Sequence, residues 1–138
     1  MLLSIGKYLM TDDKNEIRKH SQDIKNLLEQ SYWAKDRTLS VIENSIERSL
    51  CYGVFNENRT QLLGFARVVT DYSTMYYLCD LIIDAQHRGK GLGKKMVEWI
   101  VNDEEKLQGL YGMLLTSDAQ GLYSQYGFSE NQRCMCKF

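Results

Sequence analysis

The apolar positions of the first fifty residues recur at helical spacing. Between Asn15 and Ser31 this spacing predicts an amphipathic helix, whose apolar face is made by Ile17, Ile24, Leu27 and Leu28. A second helix is predicted from about Ser40 to Ser49, with Ser40 and Glu43 as a capping box at its start. Residues 2–9 carry a weaker pattern, and we expect either a first strand or an irregular lead-in there.

After residue 50 the apolar pattern changes to that of strands. Cys51–Phe55 and Leu62–Thr70 predict two strands joined by a polar turn at residues 56–59. Met75–Ile83 is more continuously apolar, as expected for a strand that is buried on both faces.

The last third of the chain alternates helix and strand. An amphipathic helix should follow a glycine-rich segment, and Leu110–Thr116 predicts a further strand. Ser117 or Asp118 should then cap a short helix ending at Gly127, and the tail should return as a strand or hairpin. The predicted order, ααβββαβαβ, describes a mixed α/β fold with one βαβ crossover.

Composition narrows the class of protein. The chain has 138 residues and no proline, and nothing in it resembles a linker, so we expect a single domain over residues 1–138. A net charge of −1 lacks the basic excess that nucleic-acid binding needs. No apolar run approaches the 18 or so residues that a membrane span requires. The N-terminus lacks the features of a signal peptide, so we expect a cytoplasmic location.

The four cysteines give no sign of a metal site. Cys51, Cys79, Cys134 and Cys136 form no C-x-x-C pair, and neither histidine lies at ligand spacing from them. We therefore expect free thiols in a reducing compartment and no bound metal.

The most informative segment is Arg88–Gly93, which links the buried strand to the next helix. Its alternating glycines allow a tight turn and let a ligand approach the backbone N–H groups, while the helix dipole favours an anion such as a pyrophosphate. The spacing G-x-G-x-G fits neither the Rossmann fingerprint nor the Walker loop. A glycine-rich turn that binds nothing is the remaining alternative.

Two motifs in the C-terminal half resemble a known family. Arg88-x-x-Gly91-x-Gly93 resembles the R/Q-x-x-G-x-G/A acetyl-CoA motif of the GNAT superfamily of N-acetyltransferases, with Ala85 where proline is common. The segment Gly121–Phe128 resembles the L-Y-x-x-x-G-F signature of that family. Together the motifs cover residues 76–128. Residues 31–34 and 64–71 look like segments of a little-characterised bacterial subgroup.

The resemblance implies a splayed, mixed β-sheet flanked by helices and an enzyme that uses acetyl-CoA as co-substrate. Acetyl would pass to a primary amine by direct attack in a ternary complex. The pyrophosphate would lie on the glycine loop, at Arg88, Gly89, Lys90, Gly91, Leu92 and Gly93. The backbone near Leu81, Ile82 and Ile83 would pair with the pantetheine arm. Tyr123 would contact the cofactor and act as general acid toward the CoA thiolate.

The attacking amine must lose a proton, and three carboxylates are candidates to receive it. Asp71, Asp80 and Asp118 lie at or near strand ends on the expected cleft side. Asp80 is the most interesting because it is flanked by apolar residues in a buried strand, where an isolated carboxylate is costly. The alternative for Asp80 is a salt bridge to Arg67 on the adjacent strand.

On the acceptor side, Tyr32 and Trp33 are expected to form an aromatic wall, with Asp71 as a further substrate contact. The alternative is that the two aromatic rings only pack under a loop. The acceptor itself stays open among a small metabolite, a polyamine, an aminoglycoside-like antibiotic and a protein amine. The oligomeric state, monomer or homodimer, also stays open. A different class, a non-catalytic acyl-CoA-binding sensor, would keep the glycine loop but lose the tyrosine, and Tyr123 is present.

Overall fold

One six-stranded sheet organises the computed structural model, which describes residues 2–138. Its strands lie in chain order and are β1 Leu2–Ile5, β2 Tyr8–Thr11, β3 Leu50–Phe55, β4 Leu62–Thr70, β5 Met75–Ile83 and β6 Tyr111–Met113. Neighbouring strands are antiparallel as far as β5, and β5 and β6 are parallel. A parallel pair needs a crossover connection, and the predicted βαβ unit supplies it. The mixed α/β fold is confirmed.

Five α-helices accompany the sheet in the described residues. They are α1 Lys14–Arg18, α2 Ser21–Leu28, α3 Leu39–Glu47, α4 Leu92–Glu98 and α5 Gln120–Ser124. The prediction of one continuous helix over residues 15–31 was wrong. The backbone leaves the helical region at His20 (φ −109°, ψ 30°), whose ring packs edge-on against Phe55 at 4.9 Å and bonds to Asp23. This tertiary contact interrupts a helix that the apolar spacing alone continues.

The start of α3 also differs from prediction. Thr38, rather than Ser40, is the N-cap, and its hydroxyl accepts a hydrogen bond from the backbone N–H of Val41. The capping box of Ser40 and Glu43 was therefore wrong by two residues, because a competing Thr cap precedes it.

Each face of the sheet carries its own apolar core. On one face the buried side chains of α1, α2 and α3 pack on Phe55, Phe65 and Ile82. On the other face α4 and the π-helical turn that extends it, Trp99–Asp103, pack on Tyr52, Val68 and Leu78. Helices therefore cover both faces of the sheet.

A buried hydrogen bond fixes the end of that turn. The Tyr52 hydroxyl donates to Oε2 of Glu104 at 2.9 Å. Burial, with the Glu104 carboxylate beside it, raises the pKa of Tyr52 well above its usual value. The phenol thus stays a donor, and it ties the chain leaving α4 to β3 in the centre of the sheet.

The structure has more strand than predicted at the N-terminus and less than predicted at the C-terminus. The N-terminal segment is a hairpin, β1 and β2, that turns at Gly6 (φ +58°). The tail, residues 128–138, forms no strand, so the prediction of a final strand or hairpin there was wrong. A turn closes where the Cys134 N–H donates to the Asn131 carbonyl, and the residues after it are exposed, including the apolar Met135 and Phe138.

The segment around β6 is also shorter than expected. Strand pairing ends at Met113 rather than Thr116, and neither Ser117 nor Asp118 caps α5. The Thr116 hydroxyl instead accepts from the backbone N–H of Ala119. No helix in the described part of the chain is both long and apolar enough to cross a membrane.

The contact between β5 and β6 leads to a stability prediction at Gly112. A Cβ there would lie 2.5 Å from Cζ of the Tyr76 ring, which is rigid and buried. Gly112→Ala should lower the free energy of unfolding by about 1–3 kcal/mol through overpacking. Gly121→Ala in α5, with nothing within 4 Å of the added Cβ, is the control and should be neutral or stabilising by up to about 1 kcal/mol. Equal stabilities for the two variants in urea denaturation would contradict the packing argument.

Candidate active site

The sheet opens between β5 and β6. Their pairing covers only Met75–Tyr77 against Tyr111–Met113, so among residues 2–138 no strand pairs with the rest of β5, Leu78–Ile83, on that side. The backbone of the three residues expected to bind the pantetheine arm (Leu81, Ile82 and Ile83) therefore lies along the opening. This splay agrees with the fold that the sequence motifs imply.

A β-bulge lies in the part of β5 that pairs with β4 but not with β6. Arg67 pairs with Cys79 and Phe65 with Ile82, so one residue of β4 stands opposite two of β5. Asp80, the first of those two, has φ +55°, a left-handed conformation that is uncommon for residues other than glycine. The bulge directs the Asp80 side chain toward the loop between α2 and α3, while Leu81 packs with the α4 core.

Three donors surround the Asp80 carboxylate, whose side chain is 2% exposed. Oδ2 accepts from Nη1 of Arg37 at 2.6 Å and from Nε of Arg67 at 2.9 Å. Oδ1 accepts from the Trp33 indole N–H at 3.2 Å. The salt bridge between Asp80 and Arg67, which the sequence suggested as an alternative, is thus present. The contact with Arg37 was not predicted, because Arg37 lies 43 residues from Asp80 in a loop without a motif.

The glycine loop follows β5 and a 3₁₀ turn, Ala85–His87. Gly89 (φ +79°) and Gly91 (φ +78°) are left-handed, and a Cβ at either would meet nothing within 4 Å, so space is open over the loop. The first backbone hydrogen bond of α4 runs from Lys95 to Gly91. The N–H groups of residues 92–94 consequently have no acceptor within the helix and are available to an anion.

Side chains from distant elements hold this loop. Arg88 Nε donates to the Ile83 carbonyl at 3.0 Å, and its terminal nitrogens are left for other partners. The Gln30 amide donates to Asp84 at 2.9 Å and accepts from the Ala85 N–H at 3.0 Å. Lys90 lies 5.7 Å from the centre of the Tyr8 ring. The loop is therefore fixed to the end of α2 and to the N-terminal hairpin.

Tyr123 lies on α5, with its ring edge-on to Phe128 at 6.0 Å. Within the described residues its hydroxyl has no hydrogen-bond partner. Burial raises the pKa of Tyr123 to about 12, and the nearby Asp118 and Tyr32 add to the effect. Tyr123 also lines a cleft of about 840 Å³ between β6, α5 and residues 128–134, which does not include the glycine loop.

Tyr32 and Trp33 lie in the loop between α2 and α3, both partly exposed, with their rings edge-on at 5.0 Å. The Ser117 N–H donates to the Tyr32 hydroxyl oxygen at 3.1 Å and so ties this loop to the segment before α5. Through these contacts the structure places Tyr32 and Trp33 between Asp80 on one side and the Tyr123 segment on the other.

Asp71 makes no recorded contact with Asp80, Trp33 or Tyr123. It lies in the turn between β4 and β5, at the opposite end of β5 from the glycine loop, and its carboxylate accepts from the Thr74 hydroxyl and from the backbone of Ser73 and Thr74. These hydrogen bonds hold the pKa of Asp71 well below its usual range. The contacts describe a turn, and its role as a substrate contact stays a prediction.

Residues 47–130 match the family model of the acetyltransferase (GNAT) domain, which covers more than half of the chain. The chain therefore belongs to the GNAT family of acetyltransferases. In the described residues no group of three or more histidine, cysteine, aspartate and glutamate side chains is placed to hold a metal ion.

Individual relatives agree with this family. A Xanthomonas campestris protein assigned to the GNAT family, known from its crystal structure, is 34% identical, with a TM-score of 0.87 over 98% of this chain and 95% of its own. A Gibberella zeae protein assigned as an acetyltransferase is 26% identical over 140 residues, covering 87% of this chain and 77% of its own. A Clostridium acetobutylicum structure solved with acetyl-CoA shares the fold, at 16% identity and a TM-score of 0.65 over 100% of this chain and 96% of its own.

Proposed function

We propose that this protein transfers the acetyl group of acetyl-CoA to a primary amine by direct attack in a ternary complex. The observation that carries the proposal is the opening between β5 and β6, which begins beside Asp80 and ends at the glycine loop. Membership of the GNAT family supports the acetyl transfer, and the site geometry supports the division of roles among the residues.

The loop Arg88–Gly93 binds the pyrophosphate in this proposal. The free N–H groups at the start of α4 donate to the anion, and Arg88 and Lys90 add positive charge. The open space over Gly89 and Gly91 accommodates the phosphates without displacing a side chain. The unpaired backbone of Leu81, Ile82 and Ile83 hydrogen-bonds the pantetheine arm, and one N–H there polarises the thioester carbonyl.

Tyr123 protonates the departing CoA sulfur. Because its pKa is about 12, the phenol keeps its proton at neutral pH, and its hydroxyl is not engaged elsewhere within the described residues. A group that holds a proton without a competing acceptor is suited to donate it to a thiolate as that leaves. Tyr123 also contacts the cofactor in this arrangement.

Deprotonating an alkylamine with a pKa near 10.4 costs about 4–5 kcal/mol at pH 7, so a nearby acceptor for that proton accelerates the reaction. Asp80 is the carboxylate at the opening. Its Oδ2 already accepts two charged hydrogen bonds, whereas from the described residues Oδ1 accepts one, from Trp33. We therefore assign proton acceptance to Oδ1 of Asp80, directly or through a water, with Tyr32 and Trp33 as the walls of the acceptor pocket.

A panel of primary amines tests the proposed function. Thiol release from acetyl-CoA should accelerate with at least one acceptor, and mass spectrometry should find that amine 42 Da heavier, the mass of an added acetyl group. Tight CoA binding without turnover on any amine would overturn the enzyme assignment and favour a non-catalytic acyl-CoA sensor.

The role of Tyr123 leads to a second prediction. Tyr123→Phe keeps the ring against Phe128 and removes only the hydroxyl, so kcat should fall by about tenfold or more while CoA affinity changes little. Wild-type kcat should not decline from loss of this proton below about pH 11, since a general acid works below its pKa of about 12. Tyr126→Phe, in the turn that follows α5, is the control. An unchanged kcat in Tyr123→Phe, with the chemical step rate-limiting, would remove Tyr123 from the mechanism.

The glycine loop is best tested at Gly93. Valine at Gly91 would be strained by the left-handed backbone, whereas Gly93 lies in α4, where an added Cβ meets only Ile83 at 3.7 Å. Gly93→Val should weaken CoA binding by about tenfold or more in calorimetry, because its branched side chain crowds the approach to the free N–H groups. Gly93→Ala, which the motif tolerates, should bind nearly as well as wild type. Wild-type affinity in Gly93→Val would contradict the placement of the pyrophosphate.

A further inference from the structure

The charges around Asp80 do not balance. Two guanidinium groups, from Arg37 and Arg67, share a single carboxylate, which leaves one excess positive charge. Both arginine side chains are largely shielded from solvent, with exposed fractions of 23% and 15%. A partly buried charge without a counter-charge is costly.

No thiolate supplies the missing negative charge. Cys51 and Cys79 lie beside the arginines, and burial raises the pKa of Cys51 to about 12 and that of Cys79 to about 11. Both thiols are therefore neutral at physiological pH. The charged groups that act on Cys79 are Arg67, Asp80 and Arg37, whose sum is positive.

The guanidinium groups also keep unused donors. Arg67 gives Nε to Asp80 and Nη1 to the Ser49 hydroxyl, and Arg37 gives only Nη1 to Asp80. A guanidinium has five N–H groups, so within the described residues Arg37 has four N–H groups without a protein acceptor. Arg37 is also the more exposed of the two, and it belongs to the same loop as Tyr32 and Trp33.

We propose that Arg37, with Arg67 behind it, binds a carboxylate group of the acceptor, so that the substrate is an amino-carboxylic acid rather than a simple alkylamine. This inference rests on the proposed function, whose acceptor pocket it specifies. A carboxylate carries the single negative charge that the cluster lacks, whereas a phosphate dianion exceeds it. The planar fork of a guanidinium also matches the two oxygens of a carboxylate.

The position of the cluster is consistent with this role. Trp33 donates to the same carboxylate that Arg37 binds, so its indole belongs to the same hydrogen-bonded cluster. Tyr32, the next residue in the same loop, is bonded to the segment that leads into α5 and Tyr123. An acceptor held by Arg37 would thus lie between Asp80 and the proposed site of acetyl transfer.

The test uses three matched series of compounds with the whole 138-residue chain. The ω-amino acids from glycine to 6-aminohexanoate are compared with alkylamines of equal chain length and with aminoalkylphosphonates, for turnover and for binding. Binding to the CoA-loaded protein is measured by the fluorescence of Trp33. The second tryptophan, Trp99, is the same in all variants. Arg37→Gln is the test variant, and Arg48→Gln, an exposed arginine at the end of α3, is its control.

At least one amino-carboxylate should have a kcat/KM about tenfold or more above that of its alkylamine, as a charged hydrogen bond supplies. Arg37→Gln should abolish this preference and the binding signal, so that the kcat/KM of the amino-carboxylate falls to that of its alkylamine, whereas Arg48→Gln should keep both. Asp80 keeps Arg67 and Trp33 in that variant, so the buried carboxylate remains paired.

The outcomes separate this inference from the proposed function. Acetylation of amines with no preference for a carboxylate, or with the same preference in Arg37→Gln, would overturn the inference alone. A preference for phosphonates would overturn it in favour of a phosphorylated acceptor. Carboxylate binding that depends on Arg37, without acetylation of any amine, would support the binding site and overturn the enzymatic proposal. Absence of both would overturn both.

Discussion

The left-handed backbone of Asp80 is the constraint on which the site depends. Such a conformation costs a residue with a Cβ about 1–2 kcal/mol, and it persists only when its surroundings impose it. Here the bulge and the ion pairs impose it together. The bulge turns the carboxylate toward Arg37, Arg67 and Trp33, and those donors keep the chain from relaxing into a regular strand.

Stability alone does not explain this arrangement. Replacing a buried ion cluster with well-packed apolar residues is often neutral or even stabilising, because the charges need not be desolvated. The cluster combines one buried carboxylate beside the opening of the sheet with two cationic side chains, and this combination is the basis of the proposed substrate contact.

Sequence patterns predicted the features that depend on neighbouring residues. Strands β3, β4 and β5 were predicted nearly to their ends because each is long and apolar, and the glycine loop was recognisable because left-handed turns favour glycine. Contacts between distant residues account for what was missed. The ring of His20 on Phe55 divides the first helix, and Arg37 meets Asp80 across 43 residues.

In the tail the sequence pattern predicted a strand that does not form. Alternation at Cys134–Cys136 is a local pattern typical of a strand, yet a strand also needs an edge to pair with. Strand β6 has only three residues among those described, so it offers a short edge for pairing. After the turn at Asn131 the chain is exposed. Alternation alone did not contain that information.

The half-paired edge of β5 has a thermodynamic consequence. If the pantetheine arm lies along Leu81–Ile83 as proposed, the co-substrate extends the sheet in the way that an additional strand would. Any ligand that binds only the folded state raises its stability in proportion to the logarithm of its concentration. The folded population of this protein would then rise and fall with the acyl-CoA pool, and chains lacking the co-substrate would be the first exposed to proteolysis.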